Sequence, residues 1–129
     1  MKPSKIIITI ALMLAVVLGM QKLLAADGID VKQAQIMNKQ GALLLDVREP
    51  DEYSAIHAPD AKLIPLGQLN ARLKEIEAYK DKPIVVMCRS GRRSAQAVSL
   101  LKEAGYTQVS NVKGGIVAWE GSGLAVIKM

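Results

Sequence analysis

Pro83-Ile84-Val85-Val86-Met87-Cys88-Arg89-Ser90-Gly91-Arg92-Arg93-Ser94 is the stretch on which the fold and the chemistry turn. Its first half is a short, uninterrupted apolar run rich in β-branched residues, the pattern of a strand buried on both faces. From Arg93 to Ala104 apolar residues recur at helical spacing, and Gly105 ends the helix. Between strand and helix lies a loop with one cysteine, one glycine and three arginines. In open α/β sheets ligands bind off the carboxyl ends of the strands. Backbone N–H groups of a turn entering a helix converge on one point and attract anions. Gly91 supplies the backbone freedom such a loop needs, and Arg89, Arg92 and Arg93 raise the local positive potential. A thiol at Cys88 therefore ionises more readily than an isolated one. Each feature has a bland explanation: a buried small residue, a solvated charge cluster, an ordinary helix cap. Their coincidence at one strand-to-helix junction is what argues for a reactive thiol.

Outward from this loop the chain continues to alternate. Val31–Gln40 has helical periodicity, with Asp30 placed to cap it and Gly41 to end it. Ala42–Val47 is a second buried strand. Glu49–Ile56 opens with Pro50 in the first turn of a short helix, and Lys62–Pro65 is a brief strand. Leu66, Leu69, Leu73 and Ile76 predict one amphipathic helix over Leu66–Tyr79. Gln108–Val112 is the last strand, and Gly114-Gly115 turns into a short helix ending near Trp119. This alternation predicts an α/β fold with a central parallel sheet and helices on both faces.

Composition narrows the function classes. The 129 residues suffice for one domain, and the core must be aliphatic because there is no Phe, one Trp and three Tyr. So few aromatics disfavour base-stacking nucleic-acid modules. The single cysteine forbids an internal disulfide and a cysteine-based zinc site, and the single histidine forbids a multi-histidine one. The net charge of +5 is concentrated at the start: Lys2, Lys5 and Lys22 precede Asp27, leaving 14 basic and 12 acidic residues, or +2, beyond it. That balance gives no reason to expect a nucleic-acid partner. No heptad or large apolar stripe demands a dimer, so the oligomeric state stays open.

Residues 1–26 have the order of a secretory signal: Lys2 and Lys5, an apolar run from Ile6 to Met20, then Leu23-Leu24-Ala25-Ala26. Cleavage after Ala26 or Ala25 is one expectation. The other is an uncleaved membrane anchor over residues 6–26, although the fifteen residues Ile6–Met20 fall short of the roughly 20 that span a bilayer. In both cases residues 27–129 form the exported domain, in a periplasm or held at the outer face of an inner membrane.

The loop resembles that of the single-domain rhodaneses. So do Leu45-Asp46-Val47-Arg48-Glu49, Glu52-Tyr53, His57, Ile64-Pro65 and Gly114-Gly115-Ile116-Val117-Ala118-Trp119, in order and in spacing. The resemblance implies a rhodanese-like fold and a sulfurtransferase. Cys88 would take a sulfane sulfur from a small anionic donor such as thiosulfate, hold it as a persulfide, and pass it to a thiol or cyanide. The backbone of Arg89, Ser90, Gly91, Arg92 and Arg93 would cradle the sulfur, and the three arginines would draw in the donor. Asp46 and Arg48 would support the loop. No metal or organic cofactor is implied, and His57 is expected to be structural.

Two departures stand out: Ile56 precedes His57 where the family usually has glycine, and Pro59-Asp60-Ala61 stands where it has Gly-Ala soon after. The proline common near the end of the family's domain is Ala125 here. Phosphatases and arsenate reductases of related fold have an arginine where Ser94 stands; only four residues separate Cys88 from Arg93, a loop too short for a tetrahedral oxyanion. A non-catalytic alternative is a sulfur-carrier or redox-sensing module that docks on a partner protein.

Overall fold

In the computed structural model residues 28–129 are described. The expected signal or anchor, residues 1–26, lies outside them. Among the described residues no helix is long and apolar enough to cross a membrane.

The elements in chain order are α1 (Val31–Lys39), β1 (Leu43–Asp46), α2 (Pro50–Ala55), β2 (Ile56–His57), β3 (Lys62–Leu63), two 3-10 segments (Leu66–Gln68 and Asn70–Tyr79), β4 (Ile84–Met87), α3 (Arg92–Glu103), β5 (Val109–Asn111), α4 (Gly115–Gly121) and β6 (Ile127–Lys128). Four strands form a parallel sheet in the order β3-β1-β4-β5. β1 and β4 are central and wholly buried, which is why their sequences are continuous apolar runs rather than alternating ones. The pleat sends Leu43, Leu45, Ile84 and Val86 to the face covered by α3 and the 3-10 segments. Leu44, Val85 and Met87 face the layer of α1 and α4, where Ala34 and Trp119 are buried. Cys88 continues the Ile84–Val86 side of β4, so it leaves the strand toward the N-terminus of α3.

Local signals account for most boundaries. The Asp30 carboxylate accepts the Gln33 N–H at 2.8 Å and caps α1. Pro50 opens α2, where Glu52 Oε1 accepts the Glu49 N–H at 3.1 Å.

Two places differ from the sequence expectation. Leu66–Tyr79 is not one amphipathic α-helix but 3-10 structure, with φ of −117° at Arg72 and −120° at Ile76 breaking its regularity. The apolar residues at 66, 69, 73, 76 and 79 recur mostly every third position. A three-residue turn, reset at the two breaks, brings Leu69 and Ile76 fully into the core. Ile56, expected to end a helix, instead starts β2, which pairs antiparallel with β6 near the C-terminus. Two-residue strands are too short to show a period. In the turn after His57, Asp60 sits at φ +64°, a left-handed conformation that a short polar side chain tolerates. The turn survives without the glycine common in the family.

Candidate active site

Cys88 is 1% exposed and lies just past the carboxyl end of β4, beneath the loop that enters α3. Gly91, at φ +114°, takes a conformation open to few other residues and caps α3. Its N–H donates to Cys88 Sγ at 3.1 Å. The Ser94 hydroxyl lies 3.3 Å from the same sulfur. Burial pushes the thiol up, but the Ser94 hydroxyl and the N–H groups of Ser94, Gly91 and Ser90 outweigh it, leaving the thiol below its ordinary range. The sulfur thus sits at a focus of N–H donors, the arrangement that favours a thiolate or an anionic outer sulfur.

The floor of the loop is fixed by α4. Ile116 N–H donates to Cys88 O at 2.9 Å and Val117 N–H to Arg89 O at 3.2 Å. Gly115 makes this approach possible: a Cβ on it would lie 2.3 Å from Cys88 O and 2.6 Å from Arg89 O. Gly115 therefore lets a helix N-terminus touch the loop backbone, while a Cβ on Gly114 would lie 2.5 Å from Ala118 Cβ one turn into the same helix.

Asp46 and Arg48 do not touch the sulfur. They form a buried ion pair, Arg48 Nη2 to Asp46 Oδ2 at 2.7 Å. The same guanidinium donates to the carbonyls of Glu52 at 3.2 Å and Ile56 at 2.7 Å, tying α2 to the end of β1. From α2, Glu52 reaches the loop's helix and meets Arg93 in a two-pronged pair at 2.6 and 2.8 Å. The Arg93 pair holds the Glu52 carboxyl down at about 2, against burial, and Glu52 in turn holds Arg93 firmly protonated.

Of the expected site residues, the structure brings Cys88, Ser90 and Gly91 together at the sulfur. Arg89 and Arg92 are exposed beside it. The Arg93 side chain departs from the expectation: its charge is engaged by Glu52, because α2 packs close enough to present a carboxylate. Three residues escaped the sequence reading. The sequence marks Ser94 only as the place where related phosphatases have an arginine, and Glu52 only as part of a motif. Asn111 ends β5 beside β4, and its Oδ1 lies 2.6 Å from Ser94 Oγ while its Nδ2 donates to Gly91 O at 3.2 Å. A polar residue at the carboxyl end of a strand neighbouring β4 was the available signal.

His57 is removed from this cluster. Its Nδ1 is 2.8 Å from Tyr53 O and its ring stacks on Tyr53 with centroids 4.0 Å apart. Among the described residues no group of three or more His, Cys, Asp or Glu could hold a metal ion. Beside the loop opens a cleft of about 540 Å³ whose lining includes Arg48, Glu52, Ile56, Arg89, Ile116 and Val117. That volume suits a small organic ligand.

A parallel sheet with a cysteine cradled at a strand-to-helix loop defines a sulfur-handling or anion-handling α/β domain, and comparison with known families decides between them. The model of the rhodanese-like domain matches residues 30–122, and the chain belongs to that family. It is similar to a protein named sulfurtransferase from Allochromatium vinosum, with 39% identity over 93 residues, 72% of this chain and 85% of that one. It is similar also to the putative sulfur carrier protein YrkF of Bacillus subtilis, with 40% identity over 78 residues; these are 60% of this chain but only 41% of that longer protein. The crystal structure of a rhodanese-related protein from Thermoplasma volcanium superposes with a TM-score of 0.69 at 33% identity, covering 78% of this chain and 96% of that one.

Proposed function

We propose that this rhodanese-like domain is an exported sulfurtransferase in which Cys88 carries the transferred sulfur. The observation that carries the proposal is the buried Cys88 Sγ held at the entrance of α3 by the Gly91 N–H at 3.1 Å, with the Ser94 hydroxyl 3.3 Å away. In the first half-reaction the Cys88 thiolate attacks the outer sulfur of thiosulfate. The S–S bond of the donor breaks and its electron pair leaves with sulfite, while Cys88 becomes a persulfide. In the second, cyanide or a thiol attacks the outer sulfur and the Cys88 thiolate departs. Arg89 and Arg92 supply the long-range attraction for the dianionic donor, since Glu52 offsets the charge of Arg93. Asp46 and Arg48 support the loop through α2. An organic acceptor has room in the cleft beside Arg89. Residues 1–26 act as the export signal or as an anchor, with the domain outside the cytoplasm.

Steady-state kinetics with thiosulfate and cyanide test this reading. Parallel double-reciprocal lines with thiocyanate as product are expected for two half-reactions through one covalent intermediate. Thiocyanate with intersecting lines would contradict it. The similarity to a putative sulfur carrier supports a second reading, a persulfide-bearing module served by a docked protein partner. Under that reading Cys88 accepts sulfur, yet turnover with the small acceptor is negligible.

A further inference from the structure

The Ser94 hydroxyl has one proton and two acceptors. Asn111 Oδ1 lies 2.6 Å from Ser94 Oγ, and Cys88 Sγ lies 3.3 Å from it. Two oxygen lone pairs do not tolerate so short a separation, so a proton lies between Ser94 and Asn111. The amide orientation follows from its other end, where Nδ2 donates to Gly91 O. With its proton turned to Asn111, Ser94 presents only lone pairs to the sulfur. It can accept from the Cys88 thiol in that state, but it cannot donate to a thiolate.

We propose that Asn111 is a positioning residue that restrains Cys88 by competing with the sulfur for the Ser94 hydroxyl proton. When Cys88 ionises, the Ser94 O–H turns from Asn111 to Sγ and leaves Asn111 Oδ1 without its donor. No proton leaves Ser94; only the direction of one O–H bond changes. The loss at Asn111 is charged against the thiolate, so the amide holds the resting thiol back. The charged groups on the loop and on the elements packed against it are Arg93 with its partner Glu52 and with Glu49 beside it, the loop arginines Arg89 and Arg92, the Asp46–Arg48 pair at the end of β1, Lys113 beyond β5 and Glu120 on α4. Among the described residues none of them hydrogen-bonds Ser94 or Asn111, and all remain in the variants below.

The inference rests on Cys88 being the working thiol, but its test does not depend on sulfur transfer. Cys88 is the only cysteine, so the rate of iodoacetamide alkylation of the freshly reduced full chain, followed against pH, reports its ionisation alone. Asn111→Val removes the acceptor at a strand position that suits valine. It is expected to move the alkylation midpoint down by roughly half to one pH unit. In a Ser94→Ala background the same substitution is expected not to lower it. Asn111→Asp, nearly the same shape, keeps and strengthens the acceptor; it is expected to move the midpoint up, and by less when Ser94 is Ala. An unchanged or raised midpoint in Asn111→Val overturns the proposal, as does an equal downward shift with and without the Ser94 hydroxyl. If Asn111→Val does not fold, an Asn111→Asp shift that is absent, or the same in both backgrounds, overturns it. Failure of thiosulfate turnover would leave all of these results standing.

Discussion

The loop Cys88–Ser94 and the segment Leu66–Tyr79 both pack on the α3 face of the sheet, and they are specified in different ways. The loop is held by particular atoms: three N–H groups toward one sulfur, two α4 N–H groups on its carbonyls, an amide and a carboxylate from neighbouring elements. The 3-10 segment is held by where its apolar side chains must go, with Leu69 and Ile76 buried and its other face charged and exposed. A site built from directed bonds fails when one atom is misplaced. A segment built from burial fails in proportion to the volume removed.

The sharpest way to expose that difference is Gly115→Ala. The added Cβ would lie 2.3 Å from Cys88 O at a backbone φ of +53°, where alanine is strained in any case. Urea unfolding is expected to show a loss of about 4 kcal/mol, with sulfur uptake at Cys88 falling along with it. Leu69→Ala, in the other region, is expected to cost about 2–4 kcal/mol. In the protein that remains folded, the alkylation rate of Cys88 should match the parent. A large change in that rate would show that the two regions are not separable.

Glu52→Gln tests the link between α2 and the loop. The folded Glu52 carboxyl titrates at about 2 against an ordinary 4.5, so its stabilising effect is present above pH 4.5 and is lost as pH falls toward 2. Both partners are about a third exposed, side-chain values being 33% for Arg93 and 28% for Glu52, so solvent screening reduces the effect to about 1–2 kcal/mol. Urea midpoints measured between pH 6 and pH 2 should fall less steeply for Glu52→Gln than for the parent. The smallest effect concerns neither region directly. Asp60→Gly relieves a left-handed residue and is expected to raise stability by about 0.5–1 kcal/mol, read as a higher thermal midpoint.

The two regions also differ in how far the sequence disclosed them. A buried strand running through a cysteine, a glycine and arginines into a helix is a local pattern, so the fold class and the place of Cys88 were legible in the residues themselves. So was the turn at Gly114-Gly115 into a short helix, though not its reason, which is the approach of α4 to the Cys88 carbonyl. Ser94, Asn111 and the engagement of Arg93 by Glu52 were not legible. Asn111 is 17 residues from Ser94, and Glu52 is 41 from Arg93; only tertiary packing brings them together. The amphipathic spacing of Leu66–Tyr79 correctly marked the buried residues but not the helix type. Spacings of three and four fit an α-helix and an interrupted 3-10 helix alike.

The central claim is that Cys88 accepts a sulfur, and the intact mass of the freshly reduced chain after incubation with thiosulfate tests it most directly, with Cys88→Ser alongside. A gain of one sulfur atom on the parent alone, lost on addition of cyanide as thiocyanate appears, is the predicted result. An unmodified parent mass, or an equal gain on Cys88→Ser, would contradict it.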